Sequence, residues 1–419
     1  MGPDAVALLC GAKLATRSAD THFAFRQDSD FHYLTGFDHP NAAAVLRTDG
    51  GPAFTLYAEP RERDAETWTG YRPGVEGAVR DFGAGEAHPI GELLDHVPKL
   101  IERARRLLVV LGRDGALDAK LTAALDEMRL RSRTGVVPPS EIVDPRSILH
   151  EMRLFKDVAE IEIMRRAAAI TLEAHRATAP GARAGRFEYE LEAMLEYHFR
   201  RRGASGPAYG TIVGGGANAT VLHYVTNRAR LREGDLVLID AGCELEGYAS
   251  DVTRTYPVGG RFEGPGAAIY EIVLDAQEVA IAAAKPGATL DDVHTAAVRR
   301  LTEGMVSLGL LAGEVDGLVE SGAYKPYYMH RTSHWLGLDV HDVGAYTLEG
   351  RARALEPGMV FTVEPGLYVR ADDEKADPRL QGIGVRIEDN LLVTADGHEN
   401  LTAAIAKRPR DVEAWVAGS

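Results

Sequence analysis

Acidic residues end or interrupt apolar runs at three places in this chain. Asp240 closes "LVLID", Glu364 follows "MVFTV", and Glu388 lies in "GIGVRIEDN" beside Val385 and Ile387. Short apolar runs bounded by turn residues read as buried strands. A carboxylate at the end of such a strand is carried out of water, and an unpaired buried charge is prohibitive. The fold must therefore bring these strand ends together around something positive.

Two more segments supply partners. "LVLIDAGCELEGYASDVTRTYPV" reads as strand, turn, strand, with Asp240 ending the first strand and Asp251 in the second. A hairpin would set the two carboxylates side by side across the ladder. Like charges at that distance repel unless a cation lies between them. "HRTSHWLGLDVHD" then places His330, His334 and His341 close together. His330 and His334 are spaced i,i+4, as on a zinc-binding helix. That motif's glutamate is missing, however, and Leu336, Leu338 and Val340 alternating around Gly337 favour a strand or loop. Asp240, Asp251, His334, Glu364 and Glu388 form a mostly hard-oxygen set with one nitrogen. It suits two cations such as Mn²⁺ better than a closed structural zinc site. Four carboxylates are excessive for one ion, and shared between two ions they balance the charge.

The rest of the chain divides in two. Residues 1–150 alternate strand-like and helix-like segments, "AAAVLRT", "PAFTLYA", "RRLLVVLG" and "ALDAKLTAALDEMRL", and show no cluster of metal-ligand residues. A proline-punctuated stretch, "PPSEIVDPRSILHEMRLFKD", precedes a long amphipathic helix from about Asp157. Residues 151–419 read as α+β with much antiparallel sheet. "TIVGGGANAT" lacks the Gly-Lys-Ser/Thr of a phosphate loop and reads as a turn passing close to a site.

A length of 419 residues fits two domains, and a net charge of −15 argues against nucleic acid or an anionic membrane surface as partner. Two cysteines make no disulfide framework, and "MGPDAVALLCGAKLA" lacks the basic start of a signal peptide. No apolar stretch is long enough to span a membrane. A cytoplasmic protein is expected.

The motifs "LVLIDAGCELEGYASDVTRTYPV", "HRTSHWLGLDVHDVG", "MVFTVEPGLYV" and "GIGVRIEDN" closely resemble the aminopeptidase P branch of the pita-bread metallopeptidases. "QDSDFHYLTGF" resembles that branch's N-terminal domain. The resemblance implies an α/β N-terminal domain (1–150) followed by an α+β pita-bread catalytic domain (151–419). It implies that Asp240, Asp251, His334, Glu364 and Glu388 hold a dinuclear centre, usually Mn²⁺, with Asp251 and Glu388 bridging. His223 would contact the substrate, and His341 would stabilise the transition state. Tyr368 and Arg386 would stand around Asp240. Trp68, in "RERDAETWTG", matches a tryptophan that reaches toward an active site, in some relatives a neighbouring subunit's. That implies a homo-oligomer, dimer or tetramer. His330 is expected to form part of the substrate wall, beside Arg331-Thr332 where some relatives carry Gly-Leu or Gly-Val.

The implied reaction releases the first residue from peptides whose second residue is proline. Hydroxide held between two metals attacks, Glu364 passes the proton to the leaving nitrogen, and His341 with His223 meets the oxyanion. A prolidase, cutting only Xaa-Pro dipeptides, uses the same metal set. Arg331, Arg370 and Arg386 offer no fixed clamp for a dipeptide's carboxylate, so an open cleft is expected.

Overall fold

The computed structural model describes residues 1–419, in two compact units, Met1–His150 and Glu151–Ser419. The first is built on a mixed sheet of β1 (Ala5–Cys10), β2 (Ala43–Arg47), β3 (Phe54–Ala58), β4 (Glu86–Pro89), β5 (Arg106–Val109) and β6 (Glu141–Val143). Their spatial order is β4-β3-β2-β1-β5-β6. The central strand, "AVALLC", is more than the short terminal apolar run read from sequence. Val6 and Leu8 pack into one core, and Ala5, Ala7 and Leu9 into another on the opposite face. A strand buried on both faces shows no polar alternation to read. β2 and β3, the strand-like segments "AAAVLRT" and "PAFTLYA", pair antiparallel across the "DGG" turn.

The helices of this unit include α1 (Arg63–Thr69), α2 (Leu93–Ile101) and α3 (Gly115–Leu130). Asp114 caps α3 by accepting from the backbone N–H groups of Ala116 and Leu117. Leu117, Leu121, Leu125 and Met128 make its buried stripe, each contributing about 1.5–3 kcal/mol.

The second unit opens with α4 (Val158–Thr178), started by a reciprocal capping box between Asp157 and Glu160; losing such a cap costs about 1 kcal/mol. After α5 (Glu188–Arg201) come β7 (Ile212–Gly215), β8 (Leu236–Asp240), β9 (Cys243–Leu245), β10 (Tyr248–Ala249) and β11 (Thr253–Pro257). β7, β8 and β11 form an antiparallel sheet with β8 central. Ile212–Gly215 of "TIVGGGANAT" are therefore strand β7, and only the stretch from Gly216 turns, as a 3₁₀ segment. The unit continues with α6 (Gly264–Ala283) and α7 (Leu290–Ser307), which share a core with Leu367, Tyr368, Val369 and Val385. The last strands that matter are β12 (Val360–Val363), β13 (Gly366–Val369), β14 (Ile383–Arg386) and β15 (Asp389–Val393). β12 pairs with β15 and β13 with β14. The Glu388 N–H donates to Thr253 O at 3.0 Å, which sews this second set of strands to β11. The acid-bearing strand ends thereby converge.

Candidate active site

Asp240 ends β8 opposite Thr253, the first residue of β11. Asp251 lies two residues ahead of that strand, which corrects the expectation of two carboxylates paired across one ladder. The small β9–β10 hairpin is inserted between them and folds back tightly. A Cβ on Gly242 would sit 1.8 Å from Ser250 O, so only glycine permits the return. The Ala241 N–H then donates to Val252 O at 3.0 Å, and both acids face one side. Asn390 fixes Asp251 from behind, accepting from its backbone N–H at 3.0 Å and donating to its carbonyl.

Arg386 is the central cation of this cluster. It donates to Asp240 Oδ2 at 2.6 Å, to Thr253 Oγ1 at 3.0 Å and to the Tyr368 hydroxyl at 3.1 Å. Thr253 in turn donates to Glu388 Oε2 at 2.7 Å. The other Asp240 oxygen accepts from the Tyr209 hydroxyl at 2.7 Å. Sequence reasoning did not find Tyr209, Thr253 or Asn390. His334 donates its Nδ1–H to Trp335 O at 2.9 Å, which leaves Nε2 3.3 Å from Asp251 Oδ2 and 3.6 Å from Glu364 Oε1. Potential ligand atoms of Asp251, His334 and Glu388 all lie within 4.8 Å of one another.

Charge crowding dominates the electrostatics. Burial, reinforced by Asp251 and Asp240 and opposed by His334 and Arg386, pushes Glu364 up to about 8. Burial and the neighbouring carboxylates raise Glu388 well above the ordinary carboxylate range, and burial raises Asp240 against the pull of Arg386. Burial alone would lower His334, but the hydrogen bond to Asp251 and the charge of Glu364 outweigh it and bring it to about 9. Four carboxylates thus face one fixed guanidinium and one imidazole. Such a donor set is satisfied by bound divalent cations, so the residues fit a metal centre.

Asp240, Asp251, His334, Glu364, Glu388 and Arg386 line one cavity of about 430 Å³, whose wall also includes His223, His330 and His341. His223 and His341 are exposed. The His341 ring meets the His334 ring edge-on at 4.5 Å. His330 is a wall residue: its Nδ1–H donates to Arg331 O at 2.8 Å and its Nε2 accepts from Tyr368 at 2.9 Å. Burial and the charge of Arg386 lower it to about 3, so it stays neutral. Trp68 lies on α1 of the first unit, where it is 88% exposed.

The loop carrying His341 is anchored by its neighbour. Asp342 is fully buried and accepts from Arg153 at 2.6 Å and Lys156 Nζ at 2.9 Å. Its backbone N–H donates to Trp335 O at 2.9 Å. Gly337 makes room for this clamp, since a Cβ there would lie 2.2 Å from Asp342 Oδ2.

The profile of metallopeptidase family M24 matches residues 162–395, which contain this whole cluster, and the chain belongs to that family. The profile of the aminopeptidase P N-terminal domain matches residues 1–110. The Xaa-Pro aminopeptidase of Escherichia coli K12 is 44% identical over 418 residues, covering 99% of this chain and 94% of that protein. Among solved structures, an aminopeptidase from Pseudomonas aeruginosa superposes with a TM-score of 0.97 at 45% identity, covering 100% of this chain and 95% of that one. A zinc-substituted E. coli aminopeptidase P in complex with product gives 0.95 at 43% identity, with the same coverage. The fold is therefore an aminopeptidase P N-terminal domain followed by a pita-bread catalytic domain, and within the family this chain stands on the aminopeptidase P branch. Membership implies an enzyme that hydrolyses peptides with divalent metal ions. No helix is long and apolar enough to cross a membrane.

Proposed function

We propose that this chain removes the N-terminal residue from peptides whose second residue is proline. The observation that carries this reading is the convergence of Asp240, Asp251, His334, Glu364 and Glu388 on one open cavity, in a chain so close to Xaa-Pro aminopeptidases over its full length. Those five residues would hold two divalent cations, Mn²⁺ by our expectation, with Asp251 and Glu388 shared between them. Bound there, the cations supply Lewis acidity toward a carbonyl oxygen and make water a nucleophile near neutral pH.

The chain's own residues do the rest. Glu364, which lines the cavity beside His334, takes a proton from water and delivers it to the proline nitrogen, which leaves as a secondary amine. His341 and His223, exposed on the cavity wall, donate to the developing oxyanion and position the substrate. Tyr368 and Arg386 hold Asp240 in one orientation. His330 forms the wall against which the substrate packs. Trp68, almost wholly solvated on α1, fits a surface that meets a neighbouring copy and contacts the substrate there, in a cytoplasmic dimer or tetramer.

The arginines near the cavity are already engaged. Arg331 pairs with Asp291 and Arg370 with Asp372, both on the exposed surface. Neither of these two guanidiniums stands free to hold a dipeptide's terminal carboxylate, which favours longer peptides over Xaa-Pro dipeptides. The test is release of the first residue from Xaa-Pro-Xaa, Xaa-Pro and Xaa-Ala-Xaa peptides by Mn²⁺-loaded protein. Longer proline peptides should give the highest kcat/KM. Dipeptides better by tenfold, about 1.4 kcal/mol of transition-state binding, would make the enzyme a prolidase. Light scattering that gives a monomer with full activity would remove the role of Trp68 at a neighbour's site.

A further inference from the structure

The first unit brings together a cluster that its sequence does not reveal. His88 lies on edge strand β4, while Glu92 and His96 stand one turn apart at the start of α2. Both imidazoles turn a nitrogen toward the same oxygen. His88 Nδ1 is 4.0 Å and His96 Nε2 is 3.8 Å from Glu92 Oε2. Candidate ligand atoms of the three residues all lie within 4.8 Å of one another.

The other nitrogen of each ring is also engaged. His88 Nε2 faces Glu86 Oε2 at 3.8 Å. His96 Nδ1 meets the Tyr57 hydroxyl at 3.0 Å. Tyr57 is a buried residue of β3 in direct register with His88, and the two rings lie 5.4 Å apart. The imidazoles are themselves packed edge-on at 5.1 Å. His96, with one nitrogen hydrogen-bonded to a hydroxyl and the other turned to a common centre, has the arrangement that orients a histidine for metal binding, and His88 has a carboxylate near its second nitrogen. An ordinary solvated histidine pair has no need of both. The surroundings are electronegative as well: burial, with Glu92 and Glu86 nearby, pushes the Tyr57 phenol up to about 12.

We propose that His88, Glu92 and His96 form a divalent-cation site separate from the catalytic centre, with Glu86 and Tyr57 orienting the two rings. Two imidazoles and one carboxylate select a borderline cation, Zn²⁺ in preference to Mn²⁺. Ligand atoms around tetrahedral zinc lie about 3.3 Å apart, given bond lengths of about 2.0–2.1 Å. Closing the present gaps of 3.8 and 4.0 Å needs only small rotations of partly exposed side chains. Water completes the shell on the solvent side, where Glu92 is 51% exposed. A bound ion would clasp the outer strand of the sheet to α2, at an edge that otherwise offers unpaired backbone groups.

The test is equilibrium dialysis of the full chain, loaded with Mn²⁺, against micromolar free Zn²⁺ at pH 7.5, with metal counted per chain. His88→Ala/His96→Ala should bind one zinc fewer than the parent and keep its circular dichroism. Since loss of His96 also takes a partner from Tyr57, His88→Ala/Glu92→Gln is a second variant that leaves that hydrogen bond in place, and it should lose the same single zinc. Equal zinc content in the parent and the second variant would overturn the proposal.

Discussion

Removing metal should make this enzyme's stability fall as pH rises, the reverse of what acid-sensitive carboxylate proteins do. The folded, metal-free cluster holds Glu364 at about 8 against an ordinary 4.5, and His334 at about 9 against 6.5. Both values are raised on folding. The stability they confer is complete below the ordinary values and is lost as pH climbs through the folded ones, from about 4.5 to 9. The two groups lie 3.6 Å apart and titrate as a pair, so they are counted together as one extra proton held between pH 6 and 8. At about 1.4 kcal/mol per pH unit, those two units cost on the order of 3 kcal/mol. For a unit of about 270 residues, at roughly 2–4 °C per kcal/mol, that is a drop in Tm of about 5–10 °C. Bound cations displace those protons, so the loaded enzyme should hold its Tm or gain as pH rises. Differential scanning calorimetry of chelator-treated and Mn²⁺-loaded protein at pH 6, 7 and 8 measures both slopes. Glu364→Gln removes one of the raised groups and should make the metal-free slope shallower, with Glu388 and His334 still contributing. A metal-free Tm that stays level or rises from pH 6 to 8 would refute the reasoning.

Glu364→Gln should also retain much of its metal and lose turnover by about 10²–10⁴-fold, the range for a lost general base, whereas Glu388→Ala should lose metal and turnover together; metal analysis beside kcat separates the two. Tyr209→Phe removes the 2.7 Å donor to Asp240, and the loss of a partner that orients a metal-binding carboxylate should weaken metal affinity about 10–100-fold, read by competition with a chelating dye. Lys156→Met leaves the buried Asp342 with Arg153 as its remaining cation; it should cost about 1–3 kcal/mol in denaturant unfolding and lower kcat with metal content unchanged, as displacement of His341 requires.

Asp240, Glu364 and Glu388 were legible because a charge ending an apolar run contradicts its neighbours, and the contradiction survives without any structure. His334 was legible only through the company of those acids. Asp251 was found, but its position was not: the β9–β10 insertion between Ala241 and Asp251 depends on a backbone contact at Gly242 that no periodicity announces. Tyr209, Thr253 and Asn390 carry no signal of their own, since a hydroxyl or amide becomes a support only when another strand arrives beside it. The central strand "AVALLC" was passed over because it is buried on both faces and lies at a terminus. The His88–Glu92–His96 group escaped for a similar reason: its strand and its helix read separately, and only the turn between them makes them neighbours.

The anchoring of Asp342 bears on where this chain can be divided. Arg153 and Lys156 precede the first long helix of the second unit and lie outside the residues that match the metallopeptidase profile, which begins at 162. A fragment trimmed to that profile, or to the helix start at Asp157, would keep every metal-ligand residue. It would also lose both cations that secure the His341 loop, and it would leave a buried carboxylate with neither counter-charge. A fragment that keeps the His341 loop anchored therefore has to begin ahead of Arg153, earlier than the profile does, a margin to respect when the two units are recombined with those of relatives.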